Sequence, residues 1–289
     1  MAFEDDLGPR TSLNESTPAH LHQFDALAAP LAEHTRPGDL LCLIPYGELH
    51  FLPFHALRVD GEPLVARNPI VYAPSATVLG FCQSKRKLDA TGRPQMATAA
   101  VFGDPTDDMP RNRDCARLVA DLFGTSPTLG TDVTTAAFES AIRGADVIHF
   151  QGHAEFDAAE PLSSYLRMAG GEVITARRIF GLAGLDAHLV SLGACRTGFN
   201  KVRRGDELLG LVRAFLYAGT PSVLATLWPV QLESTTFFME RFYTHLRNPK
   251  KPSTKIDALR SAMLETRAHR PEWDAVYHWA PFLLIGDWL

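Results

Sequence analysis

A chain of 289 residues, 46% hydrophobic and 21% charged, is long enough to bury one large α/β core or two small ones without a metal or disulfide staple. Its 28 basic and 33 acidic residues leave a net charge of −5 with the basic ones scattered, which argues against nucleic-acid binding. The four cysteines, at 42, 82, 115 and 195, form no CxxC pair and have no histidine at ligand spacing, so no metal or cofactor is expected.

The acidic, polar start is unlike a signal peptide, no apolar run reaches the roughly 18 residues that span a bilayer, and the sparse thiols suit a reducing cytoplasm. Residues 1–18 are polar and carry Pro9 and Pro18, so a frayed lead-in is expected. Leu21, Phe24, Leu27, Ala28 and Leu31 then recur at helical spacing over about 19–34, where Pro30 is expected to kink or shorten the helix. A short strand is predicted at 40–44. The alternation over 45–57, turning at Tyr46-Gly47, predicts a small hairpin with Pro53 at an edge. Residues 69–73 read as a strand, and Ser75 as the cap of a helix beginning at Ala76. A polar loop over 83–96 leads to a strand at 98–102, a turn at Gly103-Asp104-Pro105 and a helix over about 112–123.

In the second half, strands are predicted at 147–150, 189–192, 222–227 and 281–285, and helices over 134–142, 207–217, 231–247 and 254–268. Short apolar strands alternating with helices predict an α/β fold, a mostly parallel sheet flanked by helices on both faces. Residues 1–36 are taken as a polar segment plus the amphipathic helix, and 37–289 as one domain.

In such sheets functional groups collect beyond the carboxyl ends of neighbouring strands. Strand 147–150 runs into Gln151-Gly152-His153-Ala154, and strand 189–192 into Gly193-Ala194-Cys195-Arg196. If the two strands are adjacent, an imidazole and a thiol meet at one edge, where small neighbours (Gly152, Ala154, Gly193, Ala194) leave room for a substrate backbone. A thiol needs little activation to attack a carbonyl, so one histidine suffices as its base. His149 and His153 have the spacing of a metal pair but straddle a strand end, which does not bring them onto one face. Neither GxGxxG nor a phosphate-binding P-loop occurs.

Ala194-Cys195-Arg196, with a histidine 42 residues upstream, partly matches the caspase signature, from which Gly193 and Thr197 depart. A longer series of segments resembles the CHAT domain family. It runs through Leu43-Ile44-Pro45, Leu52-Pro53-Phe54, Tyr72 to Ala76, His149 to His153, Leu192 to Gly198, Gly205 to Gly210, Arg213 to Gly219, Val223 to Val230 and Trp279 to Trp288. The resemblance covers roughly 37–289. It implies a caspase-like fold shared with separases, a His153–Cys195 dyad, and an oxyanion hole formed by the backbone N–H groups of Ala154 and Cys195. Most relatives have glycine after the histidine, so Ala154 departs from the pattern. Trp228 matches a Leu-Trp pair that separases follow with acidic residues. Here Pro229 and Leu232 stand nearby, which disfavours a basic P1 side chain, although Asp206, Glu207 and Glu233 remain as possible charges for the pocket.

Asp206 also reads as the N-cap of the helix from Glu207. The loop from about 197 to 205, with the basic cluster Lys201 to Arg204, lacks an apolar anchor beyond Phe199 and Val202 and is expected to be mobile. The resemblance implies a peptidase that cuts a partner protein and is switched on by a separate sensor or regulatory protein. The competing reading is a catalytically quiet docking or signalling scaffold.

Overall fold

The computed structural model describes residues 21–88, 92, 94, 96–157, 159–182, 184–193, 195–196, 209–248, 250 and 253–289. The strands, in chain order, are β1 (Leu41–Leu43), β2 (Arg58–Val59), β3 (Glu62–Pro63), β4 (Ile70–Tyr72), β5 (Ala99–Gly103), β6 (Thr128–Leu129) and β7 (Val147–Gln151). They continue as β8 (His153–Glu155), β9 (Tyr165–Arg167), β10 (Val173–Thr175), β11 (Leu189–Leu192), β12 (Cys195–Arg196), β13 (Ser222–Thr226) and β14 (Phe282–Gly286). Eight of them form one sheet in the order β1-β4-β14-β13-β11-β7-β5-β6. All of its pairs are parallel except β13 with β14. Every residue of β7, β11, β13 and β14 is buried, as expected for apolar strands covered by helices on both faces.

Helices Pro110–Phe123, Leu232–Leu246 and Lys255–His269 pack side by side, while Leu209–Ala218 packs on β13 and on the short helix Ala176–Phe180. Ser75 caps the helix Ala76–Ser84, its Oγ accepting from the Val78 N–H at 3.1 Å. The amphipathic segment is broken as Pro30 requires: a 3-10 turn at His22–Leu27 gives way to a helix at Ala29–His34 with the proline in its first turn.

Residues 45–57 do not form the expected hairpin. Two 3-10 turns, Gly47–Phe51 and Phe54–Ala56, take their place, and Leu49, Leu52 and Ala56 donate to carbonyls three residues back. Pro45 and Pro53 remove two donors from any ladder there. The hairpin lies just beyond, β2 against β3, turning at Asp60-Gly61, both with positive φ (53° and 86°). A second sheet, β10-β9-β8-β12, occupies a stretch in which the sequence had shown no strand beyond the tip of 147–150. Its members are two or three residues long, too short for a period to register.

Two core histidines set an expected acid response. Burial holds His149 down to about 3, and burial, against a bond to the Ala280 carbonyl, holds His55 down to about 4. Both stay neutral in the fold yet bind protons below about pH 6.5 once unfolded, so the unfolded chain takes up more protons and stability falls with pH. In urea unfolding between pH 6.5 and 4.5, His149→Leu should flatten the decline by about 1.4 kcal/mol per pH unit, one proton's worth. Equal slopes for the two proteins would contradict this.

Candidate active site

The end of β7 and the end of β11 are neighbours, with Phe150 opposite Leu192. Each chain then turns out of the large sheet and rejoins its neighbour in the small one, where β8 pairs with β12 in parallel register. Both take three residues to do so, from Phe150 to His153 and from Leu192 to Cys195, so the register survives the corner and sets Cys195 opposite His153 and Arg196 opposite Ala154.

The glycines at these corners serve packing, not the room for a substrate backbone expected of them. A Cβ on Gly152 would come within 2.8 Å of Pro105 and 3.1 Å of the Phe150 ring, and one on Gly193 within 1.9 Å of Gln151 Oε1. Those neighbours already fill the space. Ala154 is buried at the centre of the small sheet, between β9 and β12.

The His153 side chain is only 14% exposed, and its Nε2 lies 3.1 and 3.2 Å from the two carboxylate oxygens of Asp108. Nδ1 is buried and has no hydrogen-bond partner among the described residues. Asp108 belongs to a tight loop after β5, fastened at its root. The buried Asp104 carboxylate accepts from the Met109 N–H at 2.8 Å and from Arg113 Nε at 2.7 Å, and Arg113 also pairs with Asp107. Asp104 and Asp107 carry the loop through left-handed backbone at φ 54° and 60°, a region aspartate tolerates better than most side chains. The Thr106 hydroxyl first, with His153 adding to it, holds the Asp108 carboxyl below the usual carboxylate range against the opposing effect of burial. Sequence spacing offered no signal for Asp108, which lies 45 residues before the histidine it meets.

The other candidates fall elsewhere. His149 sits in the core with Nδ1 3.2 Å from the Tyr243 hydroxyl, so it faces away from any site shared with His153. Trp228 packs at the margin of the core and donates from its indole to the Tyr277 carbonyl at 3.2 Å. The Glu233 carboxylate pairs with Arg270 at 2.7 Å. Asp206, Glu207 and the 197–205 loop lie outside the described residues. Among the described residues no cluster of three His, Cys, Asp or Glu side chains is placed to hold a metal ion, and no helix is long and apolar enough to cross a membrane.

A mostly parallel sheet with helices on both faces, two of its inner strands leaving one end to pair again in register, is a caspase-like fold. Separase in its complex with securin, from Saccharomyces cerevisiae, superposes with a TM-score of 0.56 at 14% identity, over 82% of this chain and 14% of that one. The Arg-specific cysteine proteinase gingipain R gives 0.56 at 12% identity, over 98% and 69%. The chain belongs to the CHAT domain family, whose model matches residues 21–287. That span takes in the broken helix at 22–34 as well as residues 37–287. Tetratricopeptide repeat protein 28 of Homo sapiens is 28% identical over 90% of this chain, and its Mus musculus counterpart 27% over the same share. The chain spans only 12% of the length of these curated relatives.

Proposed function

We propose that this chain is a cysteine endopeptidase working through a His153–Cys195 dyad. The observation that carries the reading is the register of β8 and β12, which sets the two residues opposite each other just past the large sheet's edge. With Asp108 accepting from Nε2–H, the Nδ1 lone pair is the one left to act as base. Cys195 Sγ gives its proton to that nitrogen and attacks the scissile carbonyl carbon, and the oxyanion that forms is met by the backbone N–H groups of Cys195 and Ala154. The C–N bond then breaks as the imidazolium returns its proton to the leaving amine, leaving a thioester. Water, deprotonated by His153, hydrolyses the thioester and restores the thiol. Asp108 touches no reacting atom in this scheme. It is a positioning residue that fixes tautomer and ring orientation.

The substrate is a peptide segment of a partner protein, and a sensor or regulatory protein switches the activity on. Trp228 and Asp206 are held as pocket candidates.

The test is labelling of the purified chain by iodoacetamide and by a peptide aldehyde, with the site of attachment mapped by mass spectrometry. Cys195 should react fastest among the thiols, His153→Ala should remove that advantage, and Asp108→Asn should slow labelling about tenfold and shift its pH profile. Labelling of Cys195 that ignores both substitutions would leave the docking-scaffold reading in its place.

A further inference from the structure

The loop that presents Asp108 to His153 also walls a cavity of about 350 Å³ at the same edge of the sheet, toward the lower end of the range for ligand sites. Met109 and Pro110 line one side, Val230 and Leu232, just past β13, line the other, and Gln151 closes the floor. The surface they offer is mostly apolar.

The cavity is tied to both strands of the dyad. Met109 follows Asp108, and Gln151 stands two residues before His153. The Gln151 amide lies against Gly193, where a Cβ would be 1.9 Å from Oε1, and Gly193 stands two residues before Cys195. Gln151 is 2% exposed, and its Oε1 has no hydrogen-bond partner among the described residues. The Gln151 amide thus keeps unused hydrogen-bonding capacity beside the cavity its side chain lines.

Charge narrows what can enter. Among the described residues no carboxylate lines the cavity, and those nearby are engaged: Asp104 by Arg113, Asp108 by His153 and Glu233 by Arg270. A lysine or arginine head entering it would be stripped of water with no counter-charge. Among the described residues the one charged member of the lining, Arg111, is exposed, and solvent screens it from an acidic head seated among Met109, Pro110, Val230 and Leu232.

We propose that this cavity receives the substrate side chain immediately before the scissile bond and selects an uncharged one of Leu, Met or Gln length, with Gln151 its specificity-determining floor. The proposal rests on the peptidase reading and names the substrate class for it. The experiment separates the two. An octapeptide library randomised at every position is passed over immobilised Cys195→Ala chain, which cannot hydrolyse it, and the retained peptides are sequenced. They should show at one position at least tenfold enrichment of Leu, Met or Gln over Lys, Arg, Asp and Glu. Leu232→Glu, or Val230→Glu should that variant not fold, should shift the enrichment at that position to Lys and Arg, and the unmodified chain should cut directly after it. Enrichment of charged residues, no preference, no retained peptide, or a preference unmoved by both glutamates overturns the pocket assignment. A ranking that behaves as expected while the unmodified chain cuts nothing and Cys195 shows no His153-dependent labelling leaves the pocket standing and removes the peptidase.

Discussion

Replacing Cys195 by alanine is expected to bring peptide hydrolysis down to the uncatalysed background, and His153→Ala should cost about 10³-fold or more. A hydroxyl-free, thiol-free side chain offers no nucleophile, whereas loss of the imidazole leaves the small thiolate fraction present at neutral pH and no acid for the leaving amine. Neither change should disturb the fold. Both residues stand on the short β8–β12 pair beyond the large sheet. The one side-chain bond His153 makes among the described residues is to a carboxylate that is 59% exposed, an interaction worth about 1 kcal/mol or less. That corresponds to no more than about 4 °C in Tm for a chain of this size. Single-turnover hydrolysis at excess enzyme, with calorimetry on the same samples, checks both halves. Turnover retained by either variant would overturn the dyad.

The largest loss of stability is expected at the opposite edge of the sheet, from Asp287→Ala. There Lys255 and Asp287 are 0% and 1% exposed with Nζ 3.6 Å from Oδ2, and Arg86 Nε binds the other carboxylate oxygen at 2.7 Å. Lys255 also donates to the Ser222 hydroxyl, which in turn donates to the Asp287 carbonyl, so helix Lys255–His269, β13 and the end of β14 are joined through one ammonium. Burial pulls Lys255 down to about 8 although the carboxylate opposes it. Removing that carboxylate strands a buried cation, a change that costs about 3–5 kcal/mol, or roughly 10 °C in Tm.

The double variant Lys255→Met, Asp287→Leu should recover most of the loss, because it removes both charges. The pH dependence has a definite sign. A lysine whose folded value lies below its unfolded value of about 10.4 weighs against the fold at low pH, and that burden lifts as pH rises from about 8. Asp287→Ala lowers the folded value further while the unfolded value is unchanged, so its deficit should be greatest well below pH 8 and should shrink as pH rises toward 8. A deficit that is constant with pH would mean that Lys255 is not the group left unpaired.

Much of this molecule was legible in the sequence because it is local. Strand runs such as Val147–Gln151 and Leu189–Leu192 are apolar along their whole length, and continuous burial is what a strand covered on both faces requires. Once those strands are neighbours, His153 and Cys195 follow three residues past matched positions, so their pairing was implicit in the order of residues. The cap at Ser75 and the break at Pro30 are likewise matters of a few adjacent residues. The hairpin expected over 45–57 failed because two prolines removed its donors, and the Asp60-Gly61 turn that does form lay beyond the alternation being read.

Only the tertiary structure decided the rest. The small sheet is made of strands too short to show a period, and β14 reverses direction against β13 for reasons of chain routing, not of its own residues. Asp108 reaches His153 through a loop held by Asp104 and Arg113, and Gln151 takes the space beside Gly193 that any other residue there would need. Such contacts join segments far apart in the chain, and they become visible only when the sheet brings those segments to one edge.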